Sequence, residues 1–110
     1  MFGMFKSAFG GSNEVLNEAL RNGATIIDVR SPGEYAGGHV AGSTNIPLQQ
    51  IPDALGKLPT TKPIVFCCAS GGRSGQASDY ANAKGYTAVN GGPWTTVNKA
   101  IADIESGDKS

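Results

Sequence analysis

The stretch Phe66-Cys67-Cys68-Ala69-Ser70-Gly71-Gly72-Arg73-Ser74 holds the densest chemistry in the chain. An apolar run ends in a thiol. Small residues follow, and an Arg and a Ser open a helix-like segment. Successive loop N–H groups can curl into a concave nest for an anion. The following helix adds unpaired N–H groups and the positive end of its dipole. Gly71 and Gly72 permit positive φ and a close approach of backbone to a ligand. Arg73 offers a planar fork of donors suited to an oxyanion. A thiol held there is expected to have a depressed pKa and to be substantially thiolate near neutrality. The implied chemistry is attack by a sulfur nucleophile whose charge is stabilised by N–H donors. Cys68 is the candidate catalytic residue. Ala69, Ser70, Gly71, Gly72, Arg73 and Ser74 are the candidate substrate-binding residues.

Two adjacent cysteines permit two frames. Four residues separate Cys68 from Arg73, and five separate Cys67 from Arg73. The longer spacing is that of Cys-dependent phosphatases, whose loop must cradle a larger phosphate, so a phosphatase or arsenate reductase using Cys67 is a rival reading. Phe66 stands where a phosphatase usually carries His, and no acidic residue in or beside the loop is ready to protonate a leaving group. Both points favour Cys68, and Cys67 then reads as a small hydrophobe at a strand end. His39, the only His, could act as a base beside a thiol, although a structural role is the simpler reading. Asp28 and Arg30, with Glu34, could form a polar network beneath the site; ordinary pairing at a strand end is the plainer alternative.

The elements that must position these residues alternate. A helix is expected over Asn13–Asn22, capped by Ser12 or Asn13, with Val15, Leu16, Ala19 and Leu20 at helical spacing and Gly23 past its end. Thr25–Val29 is a β-branched strand. Pro32 opens a helical turn, Ser43–Ile46 is a brief strand, and Leu48–Leu58 suits a short helix with Ile51, Leu55 and Leu58 on one face. Ile64–Cys67 is apolar on both faces, as in a strand covered by helices on two sides. A helix over Ser74–Lys84, a strand over Tyr86–Val89 and a helix from Pro93 or Trp94 to Ile104 complete the chain. Gly91 and Gly92 read as a tight turn, and Trp94 as core. This order predicts a single α/β domain with a mostly parallel central sheet flanked by helices on both faces.

Composition bounds the rest. The 110 residues suit one domain. Gly is frequent (16) and charge is sparse, with 9 Lys+Arg against 9 Asp+Glu, so net charge is zero. No basic stripe points to nucleic acid or an anionic membrane, and no apolar run is long enough for a membrane helix. Met1–Gly10 carries Lys6 and no long apolar core, so it reads as a loose start and not a signal peptide. The expected division is a flexible segment 1–12, a domain 13–104 and a loose tail 105–110. Adjacent cysteines disfavour a disulfide, which suggests free thiols in a reducing, cytoplasmic setting.

The loop Cys68-x-x-Gly71-x-Arg73-Ser74 resembles the active-site pattern of the rhodanese-like sulfurtransferases. Upstream, Asp28-Val29-Arg30 with Glu34-Tyr35, His39-Val40 and Gly42 resembles that family's second signature. Downstream, Gly85-Tyr86 and Gly91-Gly92 with Trp94 are similar to its closing segment. The likeness covers roughly residues 13–104, and three motifs in order make it specific. Ala41 stands where the family usually has Pro, Ser43 where it often has Ala, and Trp94 lies nearer the paired glycines than is usual. The resemblance implies a single-domain thiosulfate sulfurtransferase. It would move a sulfane sulfur from a small anionic donor to cyanide or a thiol through a persulfide on Cys68. It implies no cofactor or metal, and a monomer or weak homodimer. A non-catalytic sulfur-binding or signalling module is the alternative from another class.

Overall fold

The β-branched runs do form strands in the computed structural model of the chain, which describes residues 11–107. Strands β1 (Thr25–Asp28), β2 (Thr44–Asn45), β3 (Ile64–Cys68) and β4 (Ala88–Pro93) make one sheet in the order β2-β1-β3-β4. Every pairing is parallel. Parallel neighbours need crossover connections, and helices α2 (Pro32–Ala36), α3 (Ile51–Ala54) and α4 (Gly72–Ala83) lie along them, while α1 (Gly11–Arg21) precedes β1 and α5 (Trp94–Glu105) follows β4.

Central strand β3 is buried along its whole length. Its side chains alternate between two cores, as the period of a strand requires. Ile64, Phe66 and Cys68 pack with Ile51, Leu55, Ala77 and Ala81 under α3 and α4. Val65 and Cys67 pack with Leu16, Ala19 and Val97 under α1 and α5. The expected α/β architecture, with helices on both faces, is therefore present. One member of the expected α1 apolar stripe differs, since Val15 is exposed. No helix among the described residues is long and apolar enough to cross a membrane.

Besides shifts of one or two residues at other element ends, three boundaries depart from the expectation. Helix α1 begins at Gly11 instead of Asn13. Residues 1–10 of the expected flexible segment and 108–110 of the expected tail lie outside the described residues. Leu48–Leu58 is not one helix. It is a 3-10 turn at Leu48–Gln50, the single turn α3 and a second 3-10 turn at Leu55–Lys57. Pro52 has no N–H to continue a regular ladder, so the segment tightens instead. The expected apolar face survives, with Ile51 and Leu55 buried and Leu58 packed alongside.

The third departure concerns β4, expected to stop at Val89. It runs to Pro93 through a bulge: Phe66 pairs with Asn90, but Cys67 pairs with Gly92. Gly91 is the extra residue. A Cβ there would lie 2.6 Å from Val97 Cγ2 and 2.9 Å from Val65 Cγ1. Gly91 is thus fixed by close packing of α5 on the sheet, not by a tight turn.

Candidate active site

Ligands of open parallel sheets bind outside the carboxyl ends of the strands, and Cys68 is the last residue of β3. Ala69 and Ser70 are exposed and lead away from the sheet. Gly71 then takes a left-handed conformation, φ 109°, and caps α4. This reversal returns the chain onto the sulfur. The Gly71 N–H donates to Cys68 Sγ at 3.0 Å and the Ser74 N–H at 3.4 Å. The Ser74 hydroxyl lies 3.3 Å from the same sulfur. Of the two loop glycines Gly71 alone takes positive φ; Gly72, expected to share that role, is the first residue of α4.

Burial pushes the Cys68 thiol up. Hydrogen bonds to its thiolate from the Ser74 hydroxyl and from the N–H groups of Ser74, Gly71 and Ser70 outweigh that, and the net shift is downward. Cys67 has the opposite environment. Burial first, and then the Asp28 carboxylate, push its thiol up to about 12. Alternation along β3 turns Cys67 toward the α1/α5 core and Cys68 toward α4. Two adjacent thiols thereby differ in environment: one is held neutral in the core, and the other collects donors that favour its thiolate.

A model of the Rhodanese-like domain family matches residues 12–92. The chain belongs to the rhodanese-like domain family. It is 39% identical over 66 residues to YqhL of Bacillus subtilis, spanning 60% of this chain and 52% of that one. It is 33% identical over 72 residues to the thiosulfate sulfurtransferase GlpE of Stutzerimonas stutzeri, spanning 64% of this chain and 66% of that one. The match thus spans about half to two thirds of these relatives. The crystal structure of a rhodanese-related protein from Thermoplasma volcanium covers 88% of this chain at 28% identity, with 91% of its own length matched and a TM-score of 0.67.

The other candidate residues of this rhodanese-like domain fall into separate groups. The Arg73 guanidinium is held in bidentate fashion by Glu34 of α2, at 2.9 and 3.1 Å. Arg73 first, then the Ser31 N–H, hold the Glu34 carboxyl down to about 2. Glu34 also closes a capping box, accepting from the Ser31 N–H at 3.0 Å while its own N–H meets Ser31 Oγ at 3.3 Å. The upstream motif therefore fixes the Arg that closes the loop. Glu34 hydrogen-bonds Arg73 and Ser31 and not Asp28 or Arg30, so it touches the network suggested for it only through its charge.

Asp28 and Arg30 do pair, and both are buried. Arg30 Nε lies 2.9 Å from Asp28 Oδ1, and a terminal nitrogen reaches Asp28 Oδ2 at 2.7 Å and the Gly38 carbonyl at 2.6 Å. The guanidinium also stacks over Trp94, 5.2 Å from the ring centre. Asp28 is in register with Cys67, so this network adjoins the core-facing thiol and faces away from Cys68. His39 is bound locally: Nδ1 lies 2.7 Å from the Tyr35 carbonyl oxygen, and the two rings stack at 3.7 Å. That geometry gives His39 a structural place in the upstream turn.

Sequence reasoning missed Asn90. Its Oδ1 accepts from the Ser74 hydroxyl at 2.6 Å and the Gly92 N–H at 3.0 Å, and its Nδ2 donates to the Gly71 carbonyl at 3.2 Å. An Asn directly before two glycines reads as a turn residue. Its one distinguishing signal was its place at the carboxyl end of a strand next to β3.

Proposed function

We propose that this rhodanese-like domain is a sulfurtransferase that carries a sulfane sulfur on Cys68. The observation that supports this most is the contrast within the Cys pair. Cys68 Sγ collects donors from Gly71 and Ser74, while burial and Asp28 hold Cys67 as a neutral thiol. In the proposed cycle the Cys68 thiolate attacks the outer sulfur of thiosulfate. The new S–S bond forms as the old one breaks, and sulfite leaves with the electron pair. Cyanide or an acceptor thiolate then attacks the outer sulfur of the Cys68 persulfide. Thiocyanate or the acceptor's persulfide departs, and the Cys68 thiolate is restored. No outside oxidant or reductant enters. The loop N–H groups and the start of α4 stabilise the anion at each stage, and Arg73, steadied by Glu34, supplies the positive charge beside them. The two free thiols suit a reducing compartment such as the cytoplasm.

The rival phosphatase or arsenate reductase reading needs Cys67 as nucleophile. Its orientation toward the α1/α5 core and its raised pKa oppose that. Wild-type protein should form thiocyanate from thiosulfate and cyanide and leave an aryl phosphate intact. Hydrolysis of the aryl phosphate without sulfur transfer would establish the rival, and neither reaction would favour a non-catalytic module.

The loop gives a graded prediction. Gly71→Val places a β-branched residue at φ 109°, where the left-handed region excludes it. The N–H to Sγ is then misdirected, and transfer should fall by roughly 10²-fold, the usual effect of losing one such donor. Gly72→Ala is the control. A Cβ at Gly72 meets nothing within 4 Å, so stability and turnover should hold. Steady-state rates and thermal melts of both variants check this; equal turnover in the two would remove the role given to the reversal at Gly71.

A further inference from the structure

The Ser74 hydroxyl lies between two partners and has one proton. It is 3.3 Å from Cys68 Sγ and 2.6 Å from Asn90 Oδ1. The Asn90 amide has only one workable orientation. The Gly92 N–H needs an acceptor at Oδ1, and the Gly71 carbonyl needs a donor at Nδ2; the flipped amide would oppose N–H to N–H and oxygen to oxygen. The Ser74 proton therefore points at Asn90, and the Ser74 oxygen turns a lone pair to the sulfur. That arrangement fits a neutral Cys68 donating its S–H to Ser74. It does not fit a thiolate, which has no proton to give.

We propose that Asn90 is a positioning residue that sets which way the Ser74 hydroxyl points, and thereby how readily Cys68 gives up its proton. When the Cys68 proton passes to water, the Ser74 O–H swings to the sulfur, breaking its bond to Asn90. Asn90 Oδ1 keeps the Gly92 N–H. Asn90 thus competes with sulfur for one proton. The register makes this possible: Asn90 pairs with Phe66 just before the bulge, and so lies on the α4 side of the sheet. The consequence deepens the sulfurtransferase reading and rests on it. An attacking thiol works best with a pKa near ambient pH, since nucleophilicity falls as pKa falls, and the competition stops the loop from acidifying Cys68 further. The ionisable groups around Cys68 are Arg73 on α4 with its partner Glu34 on α2, neighbouring Cys67, and the Asp28–Arg30 pair at the end of β1. Ser74 and Asn90 hydrogen-bond to none of these groups except Cys68 itself, so replacing Asn90 leaves those charges in place.

The test is the pH dependence of iodoacetamide alkylation of Cys68 in wild type, Asn90→Ala, Ser74→Ala and the double variant. Asn90→Ala should lower the apparent pKa by about half a unit to one unit, one net hydrogen bond converted at ~1.36 kcal/mol per unit. Ser74→Ala should raise it. In the Ser74→Ala background, Asn90→Ala should add no shift. Asn90→Leu, similar in volume but without an acceptor, should lower the pKa as Asn90→Ala does, which preserves the test if the cavity left by Ala disturbs the loop. An unchanged or raised pKa in Asn90→Ala would overturn the proposal. So would an equal shift in both backgrounds, since Asn90 would then act through the Gly71 carbonyl. The readout uses no sulfur donor, so failure of the transfer reading and failure of this proposal are distinguishable.

Discussion

Cys68→Ser is expected to reduce thiosulfate:cyanide transfer by about 10⁴-fold or more, the scale seen when a sole nucleophile is removed. The fold should survive. The serine oxygen can still accept from the Gly71 and Ser74 N–H groups that meet the sulfur, and the site lies at a strand end with one core face. What is lost is the reaction itself. A hydroxyl in that cradle is not ionised near neutrality, and oxygen cannot store a transferable sulfane sulfur. Cys67→Ser should behave in the reverse way. Its hydroxyl enters an apolar cluster with Val65, Leu16 and Val97, costing roughly 1–3 kcal/mol of stability, while transfer stays within a few-fold of wild type. Initial rates of thiocyanate formation and melts of both variants decide it. Residual transfer in Cys68→Ser with loss in Cys67→Ser would place the reaction in the five-residue frame.

The largest expected effect on stability is at Asp28. Asp28→Ala leaves the Arg30 guanidinium buried among Gly38 and Trp94 with no counter-charge. Removing one partner of a buried pair typically costs ~3–5 kcal/mol, a large share of the roughly 5–15 kcal/mol that holds a domain together. For a chain of this size, ~1 kcal/mol moves Tm by about 4–8 °C, so the melt should drop by more than ~12 °C. The pair matters more as a matched set than as a source of stability. The double variant Asp28→Ala/Arg30→Met, which removes both charges, should therefore recover much of the loss. A double variant as unstable as the single one would show that the Asp28 contacts act independently of Arg30. Asp28 also has an effect on Cys67, whose thiol it helps to keep neutral. In Asp28→Ala, Cys67 should become easier to ionise.

The parts of this molecule that were legible in the sequence are those whose cause is local. The reactive loop could be read because its thiol, glycines, Arg and Ser fall within seven consecutive positions, Cys68 to Ser74. The central strand could be read because Ile64–Cys67 is apolar at every position, which only a doubly covered strand tolerates. The remaining features depend on partners distant in the chain. Arg73 and Glu34 are 39 residues apart, and nothing in either motif says that one carboxylate will occupy both ends of the fork. The difference between Cys67 and Cys68 comes from which layer each side chain enters, and so from register. Asn90 was invisible because its partners Ser74 and Gly71 lie 16 and 19 residues away in the chain, and because the bulge at Gly91, closely packed by Val97 and Val65, was not foreseen. A glycine read as a turn was in fact a packing contact, and the residue before it became part of the site.

The central claim is that Cys68 alone carries the sulfur. Treat the wild-type protein with thiosulfate in the absence of acceptor, digest it under non-reducing conditions at mildly acidic pH, and assign the added mass by fragmentation mass spectrometry. One added sulfur on Cys68, removed by cyanide or dithiothreitol, is the predicted result. An added sulfur on Cys67, or no adduct on either thiol in protein that turns over thiosulfate, would contradict it.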